Sequence, residues 1–225
     1  MTDALLLSGY QLWRYYSAEH EAAGQFDDLT EQIQTPALQP LTESPDRTES
    51  PPEWTATDQH RTLFEQNPEM IGWIAPPGTA IDYPVMQSPA RPNFCLNHGF
   101  DGKVSDYGVP YADKHCSIDP PSDNITLYGH HMKSGKMFGA LESYKSKGFY
   151  LDRPIIHFDT RAGFGQYETF AVLAVNPADF PHHQFVNTTD QAAFDKYVTR
   201  CKALSLYDTV VSAKYGDKLI TLSTC

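Results

Sequence analysis

Two side chains in this 225-residue sequence have the types and settings for covalent acyl chemistry. Cys225 closes the run Leu219, Ile220, Thr221, Leu222, Ser223, Thr224, Cys225, and His130 follows Gly129 at the end of Asn124, Ile125, Thr126, Leu127, Tyr128. Both runs have the aliphatic and β-branched composition and the length of buried strands. Each residue is therefore expected at a strand end, a rigid place for a reactive group. A thiol of unperturbed pKa near ~8.5 attacks a carbonyl poorly, whereas a neighbouring imidazolium favours the thiolate and can protonate a leaving amine. Taken alone, Cys225 also fits a blander role as a small buried hydrophobe.

The other candidate groups carry less. Cys95, Cys116 and Cys201 are spaced neither compactly nor in pairs, so no disulfide framework is expected, and Cys95 with Cys116 is the one pairing worth testing. Cys201 falls at an apolar position of a helical repeat, where core packing is expected. His131 is expected to shape the pocket or face solvent. The adjacent pair His182 and His183 would point to opposite faces of an extended backbone, and no cluster of cysteines or carboxylates supplies further ligands. A surface loop is expected there and no metal site. No phosphate-binding glycine loop or internal repeat is present, and no cofactor is expected.

Short β-rich runs separated by turn signals must position these groups, at 70–74, 81–85, 109–112, 125–128, 155–158, 167–175 and 219–224. Gly163, Phe164 and Gly165 read as a hairpin turn. Helices are predicted at 137–144 and at 189–204, where Phe194, Tyr197, Val198, Cys201 and Leu204 recur at helical spacing. A further short helix is predicted at 58–67, with Asp58 as its N-cap and Pro68 marking its end. The pattern divides into an N-terminal helical segment 1–34, a Pro/Thr/Ser/Glu-rich linker 35–56 and a globular domain 57–225. The early apolar run Ala4, Leu5, Leu6, Leu7 is far short of the ~20 residues of a membrane span and is no signal peptide. The aromatic-rich helix that follows is compatible with a membrane-interface position or with plain docking on the domain. A net charge of −11 excludes a nucleic-acid partner of the usual basic kind.

The motifs TLSTC at 221–225 and NITLYGHHMKSGKMFGAL at 124–141 closely resemble the two active-site motifs of class B sortases, cysteine transpeptidases of the Gram-positive cell surface. The likeness runs on through GWIAPPGTAIDYPVM at 72–86, LNHGF at 96–100 and the amphipathic stretch 188–209, and covers about 170 residues. The resemblance implies a mainly β fold with flanking helices, a sortase-like closed barrel of eight strands. Seven of these are visible here, the eighth and its arginine falling beyond Cys225. Loss of one such donor to a developing oxyanion typically costs about 10²- to 10³-fold in rate. A terminal carboxylate beside the thiol would also oppose the thiolate. The expectation is that a chain ending at Cys225 is weakly active or inactive.

The resemblance further implies the chemistry and the surroundings. Cys225 and His130 are the catalytic pair. The substrate is a C-terminal sorting signal of a surface protein, commonly beginning Asn-Pro and cleaved after a threonine. The acceptor is an amine of a cell-wall precursor or a pilin, and the setting is the extracellular face of the cell membrane, reached through an N-terminal anchor outside this sequence. Position by position, Leu96, Phe185, Val186, Ser223 and Thr224 are expected at the substrate groove. Leu96 and Val186 fit core packing equally well, and the Ser223 hydroxyl fits a bond to its own backbone. Pro92 stands where relatives often carry a polar residue. The rival readings are a silent barrel that only binds surface-protein tails and a cysteine hydrolase that releases acid.

Overall fold

The structure, a computed structural model, describes residues 17, 21, 23–33 and 56–224. Nearly all of the predicted linker, the first part of the N-terminal segment and Cys225 itself lie outside the described residues. Helix α1 covers residues 23–31, and its Phe26 and Leu29 are buried in the main core, with the Phe26 ring edge-on to Tyr83 at 4.7 Å. Burying two such side chains stabilises the docked helix by roughly 1.5–3 kcal/mol each. Among the described residues, no helix is long and apolar enough to cross a membrane.

Among the described residues, seven strands form one sheet: β1 (Met70–Ala75), β2 (Tyr83–Met86), β3 (Tyr111–Ala112), β4 (Asn124–Gly129), β5 (Ile155–Thr160), β6 (Gln166–Glu168) and β7 (Leu219–Thr224). Their order is β6-β5-β1-β2-β3-β4-β7, and the sheet curls into a nearly closed barrel. Most neighbours are antiparallel, but β2 pairs with β3, and β4 with β7, in parallel. A parallel pair needs a long crossover, usually with a helix on the sheet face. Between β4 and β7 that crossover carries α4 (Lys147–Asp152), the β5–β6 hairpin and α5 (Gln191–Leu204).

Strand β7 is an edge strand that, apart from buried Leu219, is half-buried, with packing partners on both faces. Ile220 and Leu222 pack on the main core with Leu127, Phe138 and Phe158, while Leu219 packs against Phe194 and Val198 of α5. The start of the β4–β7 pair is pinned by buried polar groups. The Asn124 side chain is fully buried, donating to the Phe185 carbonyl (2.9 Å) and accepting from the Thr221 hydroxyl (2.8 Å). Asp123 accepts from Lys218 Nζ (2.8 Å) and from the Thr188 N–H (2.8 Å), which hold its carboxyl below the usual range.

Several predicted elements differ. The 58–67 helix is two turns, α2 (Ala56–Gln59) and α3 (Arg61–Gln66), broken at His60; Asp58 lies inside the first and pairs with Arg61 instead of capping. The expected strand 167–175 ends at Glu168, because the chain then leaves β5 for the loop after α5: Val172 N–H donates to Ser205 Oγ (3.1 Å), and Leu206 N–H to the Val172 carbonyl (2.8 Å). The 137–144 segment is a 3₁₀ helix over Phe138–Lys145. The 189–204 helix begins at Gln191, because Asp190 caps it by accepting from the Ala192 N–H (2.9 Å). Cys95, Cys116 and Cys201 are free and buried, and burial pushes all three thiols up, Cys201 to about 11. None of these three is poised as a thiolate.

Replacing Asn124 by Ala strands the Phe185 carbonyl and the Thr221 hydroxyl. At about 1–3 kcal/mol per buried group, urea unfolding should show a loss of roughly 2–5 kcal/mol with an unchanged slope. The lowered pKa of Asp123 contributes stability that is present above its unfolded value of ~3.9 and lost as pH falls through the folded value. Asp123→Asn should therefore flatten the acid limb of a melting-temperature profile below about pH 4; an unchanged limb would show that the contact adds nothing.

Candidate active site

The site is built where β4 and β7 end together. Six residue pairs run in parallel register from Asn124 with Leu219 to Gly129 with Thr224, and the next residues in sequence are His130 and Cys225. A tight loop follows Gly129. The Phe138 N–H donates back to the His130 carbonyl (3.0 Å), His131 bridges to Met137, and Gly135 and Met137 take positive φ values of 78° and 52°. Gly129 is required by this closure, since a Cβ there would lie 2.5 Å from the Phe138 ring.

The His130 ring is held from a different element. Its Nε2 lies 2.6 Å from the main-chain carbonyl of Leu96, which can only accept, so Nε2 carries the proton and Nδ1 is the other, free-lone-pair nitrogen of the neutral ring. Leu96 ends the 3₁₀ turn Phe94–Leu96, whose Phe94 ring is sandwiched between the Arg91 guanidinium and the His98 imidazole, each 3.8 Å away. The structure thus brings Leu96 to His130 through its carbonyl. Sequence patterns carry no signal for that role, because every residue has a carbonyl.

Beside β7 runs a cleft of about 770 Å³ lined by both edges of the sheet, Gln166 to Glu168 of β6 and Leu219 to Thr224 of β7. It reaches Ser223 and Thr224, the two residues before Cys225. The Thr224 hydroxyl is buried with no hydrogen-bond partner among the described residues. His182, expected on a surface loop, is instead half-buried in the cleft lining, with Nε2 3.2 Å from Ser223 Oγ and Nδ1 3.3 Å from the Phe180 carbonyl. It is the functional candidate that sequence reasoning set aside. Its proximity to β7 follows from the path of the loop before α5, not from any local motif. No group of three metal-ligating side chains occurs among the described residues.

Phe185 and Val186 are not brought to this end of the strands. Their carbonyls bind Asn124, at the start of β4, from its side chain (2.9 Å) and its N–H (3.0 Å). Five residue steps separate Asn124 from Gly129, roughly 16 Å along an extended strand. The Phe185 ring stacks on Tyr197 at 4.0 Å, and Val186 packs on the main core. The same loop reaches the site four residues earlier, with His182. His131 is exposed and lies 4.0 Å from Glu142.

The chain is 32% identical over 170 residues to sortase B of Listeria monocytogenes and 30% identical over 168 residues to that of Staphylococcus aureus. These alignments take in 75% and 74% of this chain and 67% of each relative. A structure titled as a Staphylococcus aureus sortase B-substrate complex superposes with a TM-score of 0.71 at 28% identity, covering 76% of this chain and 77% of that one. No family model matches. The chain belongs to the class B sortases, a family of cysteine transpeptidases.

Gly129→Ala sets a methyl group against the Phe138 ring and should cost about 1–3 kcal/mol, as overpacking does. Thermal unfolding checks the loss, and Phe138→Leu in the same chain should recover part of it by making room.

Proposed function

We propose that this protein is a thioester-forming transpeptidase with Cys225 as nucleophile and His130 as acid and base. The observation that carries the reading is the parallel β4–β7 register, which ends at Gly129 and Thr224, one residue short of each. Cys225 passes its thiol proton to Nδ1 of His130, and the thiolate attacks the main-chain carbonyl of a threonine in a sorting signal. The carbonyl carbon–nitrogen bond breaks, the acyl group stays on sulfur, and His130 gives its proton to the departing amine. A second amine, from a cell-wall precursor or a pilin, then attacks the thioester. His130 takes its proton and the thiolate leaves. Because Nε2 is committed to the Leu96 carbonyl, Nδ1 is the nitrogen assigned to these transfers.

Several features support the assignment. Leu96 fixes the tautomer that the chemistry requires, and the cleft along β7 ends at the residues preceding the thiol. The three other cysteines are buried with raised pKa values and are unsuited to attack. Aligning the incoming amine in a groove favours transfer over hydrolysis. The substrate complex of the Staphylococcus aureus relative supports binding of a substrate in this fold; the resemblance to class B sortases makes an Asn-Pro-type sorting peptide the first probe to use and the extracellular face of the membrane the setting proposed.

Intact mass after incubation with that peptide should show an acyl adduct that Cys225→Ala abolishes. His130→Ala should slow its formation by about 10²- to 10⁴-fold. An added amine should convert the adduct to an amide product. Acid as the sole product with amine present would make the protein a hydrolase, and no adduct across a panel of sorting peptides, with this chain and with one extended by a further strand carrying an arginine, would sink the catalytic reading.

A further inference from the structure

His182 and Ser223 form a hydrogen-bonded pair whose polarity the geometry determines. The Phe180 carbonyl, 3.3 Å from Nδ1, has only lone pairs to offer, so Nδ1 carries the proton. A neutral imidazole holds one N–H, which leaves Nε2 with a lone pair 3.2 Å from Ser223 Oγ. The Ser223 O–H therefore donates to His182, and the hydroxyl oxygen keeps its remaining lone pairs. Both residues line the cleft. Ser223 stands two residues before Cys225 and pairs in register with Tyr128, two residues before His130.

From this chain of donors we infer that His182 is a specificity-determining positioning residue: it orients Ser223 so that the serine oxygen accepts an N–H of the bound peptide beside the nucleophile. The inference rests on the transpeptidase reading of the cleft. A hydroxyl free to rotate would satisfy a donor or an acceptor equally; tied to Nε2 it discriminates against a peptide group that presents only an acceptor. Protonation of His182 reverses the arrangement. Both ring nitrogens then donate, Ser223 Oγ accepts from Nε2–H, and its own proton turns toward the cleft.

Burial lowers the pKa of His182, as does the neighbouring His183 imidazole, so the neutral, accepting ring is the form at neutral pH. The His183 ring on the same turn lies 5.8 Å away, and the other titratable groups lining the cleft with His182 are Glu142, Tyr144, Lys145, Tyr167, Glu168, Tyr197, Cys201, Asp217 and Lys218. None lies between Nε2 and Ser223, which are in direct contact.

Two measurements on the full chain test this. The ¹⁵N shifts of the His182 ring, assigned by comparison with His182→Gln, should show Nδ1 protonated and Nε2 unprotonated at pH 7.5. They should also show Nε2 losing its hydrogen-bond shift in Ser223→Ala; an Nε2-protonated ring overturns the inference without any need for turnover. The second measurement is the concentration dependence of acyl-adduct formation with an Asn-Pro-type peptide. His182→Phe and Ser223→Ala should each raise the half-saturating concentration roughly three- to tenfold, the worth of one hydrogen bond, with the maximal rate nearly unchanged. The double variant should be no worse than either single one. His182→Gln, whose carbonyl can accept the same proton, should restore binding and remove the weakening seen in the wild type as pH falls below the range where an ordinary histidine protonates.

Penalties that simply multiply in the double variant, or a rescue that fails in a His182→Gln protein of normal melting temperature, would overturn the role of His182 while leaving the transpeptidase reading intact. No adduct in the wild type with any sorting peptide would bring down both.

Discussion

The parallel pairing of β4 with β7 is the constraint on which the candidate site depends. In an antiparallel pair the end of one strand faces the start of the other, and the thiol and imidazole would be a strand length apart. Parallel pairing makes the two ends coincide, so that adjacent strands deliver consecutive chemistry, His130 from one and Cys225 from the other. The pairing also has to hold register, since a slip by one residue would turn every β7 side chain to the opposite face. Leu219 would leave α5 and Ile220 would leave the core. Asn124 guards against that slip from the far end, because its buried side chain bonds Thr221, two residues beyond its register partner Leu219, and the Phe185 carbonyl.

Much of this was legible in the residues. The composition of 124–129 and 219–224 marked two strands, the first buried and the second an edge strand mostly half-buried, with His130 and Cys225 directly after them; Gly129 marked the point where the chain leaves the sheet. What could not be read was anything that depends on a chain path between distant elements. The turn at 94–96 holds His130 by a main-chain carbonyl, an interaction with no side-chain signature. Residues 169–175 have strand composition but bond to the loop after α5, because tertiary partners there outcompete extension of the β5–β6 hairpin. Phe185 and Val186 were placed by analogy near the groove. Their carbonyls, bound to Asn124, fix that part of the loop at the opposite end of β4.

His182 shows the same limit in sharper form. A pair of adjacent histidines on a loop is weak evidence for anything, and the usual inference from such a pair is solvent exposure. Here a 3₁₀ turn over His182–Gln184 sets one ring in the cleft lining, with the Phe180 ring tilted 6.3 Å away and itself stacked on Tyr197. The burial that results removes water from the ring and lowers its pKa. The turn therefore sets both the position of the imidazole and its charge state, two properties that composition leaves undetermined.

A transferase of this type needs rigid reacting groups and an adaptable approach for two successive substrates, and the fold separates the two requirements. His130 is fixed at its backbone by Phe138 and at its ring by Leu96, on elements whose side chains are packed into the main core. The cleft, in contrast, is bounded by the two sheet edges and by loops, where pairing is incomplete and side chains are half-buried. Placing reactive residues on strand ends holds them to productive geometry more tightly than loops would. The groups that read the peptide can then sit on loops without loosening the chemistry. His182 and Ser223 join the two regions, one from a loop and one from β7, so the hydrogen bond between them ties the cleft lining to the strand that precedes Cys225.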